Sequence, residues 1–243
     1  MPIIKIKDDE IEAQLILFDL DGTLVNDVDR YHSLGKTRYE VIYNHEGENM
    51  AKIWSKYIGI DSDTMQIDMK GPLSKAPRNE DIAIAAAAFY QAGYSYIEAR
   101  EKIKSIYNEA DRIENQNYTP QLFKNTERVL TSFKKAGFKI GVATNGQSRI
   151  TRDLLNKLGI LGLIDIIVGA DLVNNPKPAP DLILEACKLV NVAPAQTVYV
   201  GDQNIDIMAA QRANVKTIIG VGEEITDKNA SFIINSISSI CTK

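Results

Sequence analysis

The chain has 243 residues, 44% of them hydrophobic and 25% charged, with a formal net charge of -4, which is a globular composition with room for one large domain or two smaller ones. The acidic balance argues against non-specific binding to nucleic acid or an anionic membrane, and no apolar stretch approaches the roughly 18 residues that a membrane span needs. The N-terminal residues meet acidic side chains too early for a secretion signal, and the two cysteines, Cys187 and Cys241, lack metal-ligand spacing, so a reducing, cytoplasmic setting is expected.

Residues 2–7 alternate loosely and predict a short edge strand, followed by a charged turn over residues 8–12. Residues 14–20 predict a strand buried on both faces, because Leu15, Ile16, Leu17 and Phe18 form an unbroken apolar run. From residue 26 to about 118 no buried strand is legible. Helices are predicted at 28–43 and 49–58, then a long loop at 61–78 holding Gly71, Pro72 and Pro77. Asn79 is a possible cap for a helix running to Gly93, and Ser95 with Glu98 forms a capping box for the next one. In that helix Ala99, Ile103, Ile106, Tyr107, Ala110 and Ile113 share one face. His32 and His45 lie in this stretch without a metal partner nearby in sequence, and Trp54 reads as core.

Beyond residue 119 helices and strands alternate. Helices are predicted after Asn125, after Ser148 and over residues 178–190 and 205–213; strands are predicted at 138–144, 163–168, 197–200, 215–221 and 232–234, with a terminal helical turn. In the 178–190 helix Leu182, Leu184, Ala186 and Leu189 are expected to face inward. Such alternation implies right-handed crossovers and a parallel sheet covered on both faces. The expected architecture is therefore α/β, a Rossmann-like core of residues 1–26 and 119–243 with an all-helical domain, residues 27–118, inserted after the first buried strand.

The chemistry lies at the carboxyl ends of the strands, where open parallel sheets bind ligands. The first buried strand ends in Asp19 and Asp21, two residues apart and so starting out on one side. The second ends in Thr144-Asn145-Gly146, the fourth in Gly201-Asp202 with Asp206 a helical turn further on, and Lys177 precedes a helix start. Singly, each has an ordinary explanation as a turn, a loop lysine or a helix cap. Together on one rim, four carboxylates would not all ionise without a counter-charge. A hard divalent cation, Mg²⁺, supplies one and Lys177 another, while a hydroxyl, an amide and a helix N-terminus make an anion site. A metal beside an anion cradle suits a phosphoryl group.

The segments FDLDGTLV, VATNG, NNPKPAPD and VYVGDQNIDIMAAQRA resemble, in this order, the four motifs of the haloacid dehalogenase superfamily. The resemblance covers residues 15–25 and about 130–221, and the position of the helical insertion resembles that in the phosphoglycolate phosphatase-like subfamily, whose helical cap follows the first motif. The insertion is longer than that subfamily's pattern, with the 61–78 loop as a departure; Lys124-Asn125 stands where the family carries Pro-Gly, and Ala213-Asn214 where it carries Ala-Gly. Asn also tolerates a left-handed conformation, so the fold need not change.

The resemblance implies the following roles. Asp19 would be the nucleophile, and Asp21 the general acid and then the general base. Thr144 and Lys177 would hold the phosphoryl oxygens, with Gly22 and Asn145 also at the substrate. Asp19, the backbone carbonyl of Asp21, Asp202 and Asp206 would hold Mg²⁺, Asp206 through water or as a support. The cap would exclude water and open for product release. Asp21 points to an ester, since a halide leaving group needs no acid and the family's dehalogenases lack this residue. The expected activity is hydrolysis of a small phosphorylated metabolite, phosphoglycolate or a sugar phosphate. The alternatives are a phosphotransferase or phosphomutase on the same scaffold and a non-catalytic phosphate-binding regulator. Lys36, Arg38, Lys52, Lys70, Lys75 and Arg78 are the insertion's candidates for a second anionic group on the substrate.

Overall fold

The computed structural model describes residues 1–118, 120–223 and 225–243, the side chains of residues 27, 28 and 115 excepted. In chain order the elements are β1 (Ile3–Ile6), β2 (Asp9–Glu12), β3 (Leu15–Phe18), α1 (Asp27–Ile58), α2 (Pro72–Lys75), α3 (Arg78–Gln91), α4 (Tyr96–Asn117), α5 (Thr126–Lys135), β4 (Lys139–Thr144), α6 (Ser148–Lys157), β5 (Ile166–Gly169), α7 (Asp181–Leu189), β6 (Thr197–Gly201), α8 (Asn204–Arg212), β7 (Thr217–Val221), β8 (Phe232–Ile234) and β9 (Ile240–Thr242). They divide into two compact units, Met1–Asn26 with Pro120–Lys243, and Asp27–Thr119. The sequence-based boundary at residue 119 falls outside the described residues. Among the described residues no helix is long and apolar enough to cross a membrane.

The first unit is built on a six-stranded sheet of order β5-β4-β3-β6-β7-β8, parallel throughout. β3 lies inside it, between β4 and β6, and all four of its residues are buried. Alternation sends Ile16 and Phe18 into one core with Val129, Leu130 and Phe133 of α5. Leu15 and Leu17 enter the opposite core with Leu182, Ile183 and Ala186 of α7 and Ile207 and Ala210 of α8. Burying each such side chain stabilises the fold by roughly 1.5–3 kcal/mol, which is why the strand reads as a continuous apolar run rather than an alternating one. The chain must then turn polar where β3 leaves the sheet, and Asp19 begins there.

Several local expectations change. The charged turn at residues 8–12 is instead β2, an antiparallel edge strand on β1 whose one buried residue is Ile11. β1 pairs on its other side with β9, a strand the sequence did not suggest, and this small sheet sends Ile4, Ile6 and Ile240 into the α5 core. In α7 the buried stripe is Leu182, Ile183, Ala186 and Cys187, whereas Leu184 and Leu189 are 43% and 53% exposed. Pro77 precedes α3, leaving Asn79 inside it, and Ser148 is the first residue of α6 and not its cap. Asn125 and Asn214, standing where the family pattern has glycine, both take positive φ, 69° and 55°.

The second unit packs α1, α3 and α4 around Trp54, Phe89, Ile103 and Tyr107. The two helices expected in its first half abut in α1, broken at Gly47, whose φ of 82° and ψ of 171° are not helical. The long loop holds α2 and a bridge between Ile60 and Ile67. The Ser95–Glu98 capping box forms at the start of α4. His32 is exposed, and His45 sits 2.8 Å from Glu109. Of the cationic residues, Arg38 is buried against Asp81 at 2.8 Å with its guanidinium over the Tyr107 ring, and Arg78 reaches Asp111 at 2.7 Å. Neither points simply into solvent.

Candidate active site

Asp19 follows β3 directly, and its N–H donates to Val200 O of β6 at 2.8 Å, so the backbone leaves the sheet in a fixed direction. A tight loop comes next. Leu24 N and Val25 N both reach Leu20 O at 2.9 Å, and Gly22 N donates to Val25 O at 2.9 Å. Gly22 has φ +83°, and a Cβ there would collide with the Asp202 carboxylate. Glycine is therefore required twice over, by conformation and by space. With its N–H committed to Val25, Gly22 shapes the loop that brings Asp21 and Thr23 round. The Thr23 hydroxyl donates to Asp202 Oδ1 at 3.0 Å, linking the loop after β3 to the end of β6.

Lys177 enters from the segment between β5 and α7. Its ammonium, 6% exposed as a residue, donates to Asp19 Oδ1 at 2.5 Å and Asp206 Oδ1 at 2.6 Å, and also to Ala143 O and the Tyr199 hydroxyl, both at 3.2 Å. Asp206, in the first turn of α8, has its other oxygen on Gln203 N at 3.0 Å. Carboxylate oxygens of Asp19, Asp202 and Asp206 lie within 4.8 Å of one another. Asp21 is half-buried, and its charge acts on Asp19. Thr144 closes β4, buried, with its hydroxyl oxygen accepting from Gly146 N at 3.0 Å, which leaves its O–H proton to donate elsewhere. Asn145 clasps the backbone of Lys177, its Oδ1 accepting from Lys177 N at 2.9 Å and its Nδ2 donating to Lys177 O at 3.1 Å.

The electrostatics follow from burial. Loss of solvent is the largest influence on the Asp19 carboxyl and raises it to about 7; Lys177 opposes this, and the like charges of Asp206 and Asp21 add to it. Burial also works against the Lys177 charge, but Asp19 and Asp206 outweigh it and hold the ammonium well above the ordinary lysine range. Tyr199 is pushed well above the ordinary tyrosine range by burial and then by Asp206, so it stays a neutral hydroxyl.

The donor set fits a hard divalent cation. Asp19, Asp202 and Asp206 bring three carboxylates together beside the Lys177 ammonium, with the Asp21 charge acting on Asp19, and the three offer oxygen ligands. Asp206 has both oxygens engaged by protein groups, which suits a supporting position more than a direct ligand.

Of the residues singled out in the sequence, Asp19, Lys177, Asp202 and Asp206 meet in one cluster, while Gly22 and Asn145 act on the backbone around it. Sequence reasoning passed over Thr23 and Tyr199. Tyr199 lies within the wholly buried β6, where it reads as core. The available signal was its polar tip, which needs a partner once the ring is buried.

The chain is 26% identical over 246 residues to a phosphoglycolate phosphatase of Psychrobacter arcticus, covering 95% of each protein. It is 27% identical over 213 residues to one of Aquifex aeolicus, covering 86% of this chain and 84% of that one. Its fold is similar to the crystal structure of a predicted phosphoglycolate phosphatase from Haemophilus somnus 129PT, with a TM-score of 0.70 at 22% identity over 94% of this chain and 96% of that chain. It is also similar to CbbY of Rhodobacter sphaeroides in complex with phosphate, with a TM-score of 0.62 at 19% identity over 93% and 95% of the two chains. The family model for haloacid dehalogenase-like hydrolases matches residues 16–220, a span that takes in the whole cluster from Asp19 to Asp206, and the chain belongs to that family.

Proposed function

We propose that the protein is a Mg²⁺-dependent phosphatase that hydrolyses a small phosphorylated metabolite of the phosphoglycolate type through an aspartyl-phosphate on Asp19. The observation that carries this reading is the Asp19–Lys177–Asp206 cluster at the carboxyl end of β3, with Asp202 beside it and Asp21 two residues on. The curated relatives support the ester class and the small substrate.

An Asp19 carboxylate oxygen attacks phosphorus as the bond from phosphorus to the ester oxygen breaks. Asp21 gives its proton to the departing alkoxide. Asp21, now a carboxylate, takes a proton from the water that attacks the aspartyl-phosphate, and the bond from phosphorus to Asp19 breaks to release phosphate. Lys177 and the Thr144 hydroxyl hold phosphoryl oxygens and offset charge developing on them. Asp19, the backbone carbonyl of Asp21 and Asp202 would hold Mg²⁺, which when bound offsets the charge of the carboxylates and of the phosphoryl group. The helical unit, residues 27–119, is assigned the part of the family's cap. The cytoplasmic setting expected from the cysteines and the acidic composition accords with such a substrate.

The test is phosphate release from a panel of phosphorylated metabolites, with Mg²⁺ and with excess chelator. Release that needs the metal and favours a short phosphorylated acid bears out the reading. Equal release with chelator removes the metal from it, and no release from any ester removes hydrolysis.

A further inference from the structure

β6 reads Thr-Val-Tyr-Val-Gly, and every residue in it is buried. The ring of Tyr199 belongs to the core with Leu182, Ile183 and Ile207, yet its hydroxyl reaches the polar cluster. It donates to Asp206 Oδ1 at 3.0 Å and accepts from Lys177 Nζ at 3.2 Å, with Ala143 O 3.3 Å away. At the other end of the same lysine, the Asn145 carboxamide holds both the N–H and the C=O of Lys177. An ammonium on a flexible four-carbon stem is otherwise poorly fixed. Here its root is clasped by Asn145 and its tip rests on Tyr199, so the stem is constrained at both ends.

We propose that Tyr199 and Asn145 are positioning residues that act on the chemistry through Lys177, Asn145 by fixing its backbone and Tyr199 by fixing its ammonium between Asp19 and Asp206. This gives the Asn145 carboxamide a part in holding Lys177. The kinetic part rests on the phosphatase reading above.

Tyr199→Phe removes one hydroxyl and keeps the ring that fills the core. With its hydrogen bonds to the Lys177 ammonium and the Asp206 carboxylate lost, kcat falls about tenfold while KM changes much less. Asn145→Ala loses two bonds, and kcat falls about 10- to 100-fold. In a Lys177→Ala background neither change has a further effect, because the group they hold is gone. If that background has no measurable rate, kcat of the single variants per folded molecule decides. A readout independent of turnover is the ¹⁵N–¹H signal of the Lys177 ammonium, assigned by its loss in Lys177→Ala. Hydrogen-bonded to Asp19, Asp206, Ala143 O and Tyr199, it exchanges slowly with water, and in Tyr199→Phe and in Asn145→Ala it exchanges faster and broadens. An unchanged signal, or a kcat within about twofold of the unaltered protein, overturns the proposal, as does a full effect of Asn145→Ala in the Lys177→Ala background. If the unaltered protein releases phosphate from no ester, the phosphatase reading fails, and the ammonium signal alone decides whether the two side chains hold the lysine.

Discussion

Asp19 is 6% exposed, and ionising it there costs free energy that a surface carboxylate would not pay. Its carboxyl is raised from 3.8 to about 7, so the metal-free folded protein binds a proton at Asp19 that the unfolded chain releases. The stabilising contribution of that proton is fully present below about pH 4 and is lost as pH rises through about 7. Two outcomes follow. Asp19→Asn, which cannot ionise, raises the melting temperature of the metal-free protein at pH 8 and much less at pH 5; a gain of only ~1 kcal/mol amounts to roughly 2–4 °C in a chain of this size. Turnover in the same variant falls at least about a thousandfold, since the attacking oxygen is gone. A melting temperature at pH 8 equal to or below that of the unaltered protein would show that Asp19 is not strained by its site. Metal binding has the linked sign. A cation competes with the proton on Asp19, so Mg²⁺ affinity measured by calorimetry increases as pH is raised from 6 to 8. An affinity flat across that range would remove Asp19 from the ligand set.

At the scale of elements, the strands of the large sheet were legible because burial on both faces leaves an apolar run with no other explanation; β3, β4, β6 and β7 all read so. What failed was information that is not local. β2 carries Asp9, Glu10 and Glu12, which read as a turn, but an edge strand with one inward residue has little else to show, and its charges discourage further pairing. β9 exists only because β1, from the other end of the chain, offers it an edge. The phase of α7 was misjudged because leucines occur all round it, so composition does not tell which stripe is buried. The site shows the same division. Strand-end position and residue type singled out Asp19, Asn145, Asp202 and Asp206, and Lys177 before a helix start, whereas the contacts that Thr23, Asn145 and Tyr199 make depend on what lies across from them. Gly47 marks the break in α1, and its backbone lies in a region that is essentially glycine-only, although nothing lies within 4 Å of where a Cβ would be. Gly47→Ala is therefore a purely conformational change that destabilises the helical unit by about 1–3 kcal/mol, read by chemical denaturation. Mg²⁺ affinity of the folded protein stays unchanged, because every candidate ligand lies in the other unit. Unchanged stability would mean that α1 can run on without its break.

For the whole molecule, the division of labour can be tested by removing one unit. Each has its own core: one around β3 and its covering helices, the other around Trp54 and Tyr107. Within the first unit the chain on either side of the excised segment lies side by side, because Asn26 N donates to Gln121 O at 2.9 Å and Val25 bridges Leu122. A short Gly-Ser linker from Asn26 to Pro120 would thus close the first unit without straining β3 or α5. The shortened chain is expected to melt cooperatively and to bind Mg²⁺, since Asp19, Asp21, Lys177, Asp202 and Asp206 are all retained. If the helical unit serves as the cap proposed for it, the shortened chain still hydrolyses a small activated ester such as p-nitrophenyl phosphate, but its rates across a panel of metabolites become uniformly low. Loss of selectivity with retention of the activated-ester rate assigns discrimination to residues 27–119, and an unaltered preference among metabolites would place it in the first unit instead.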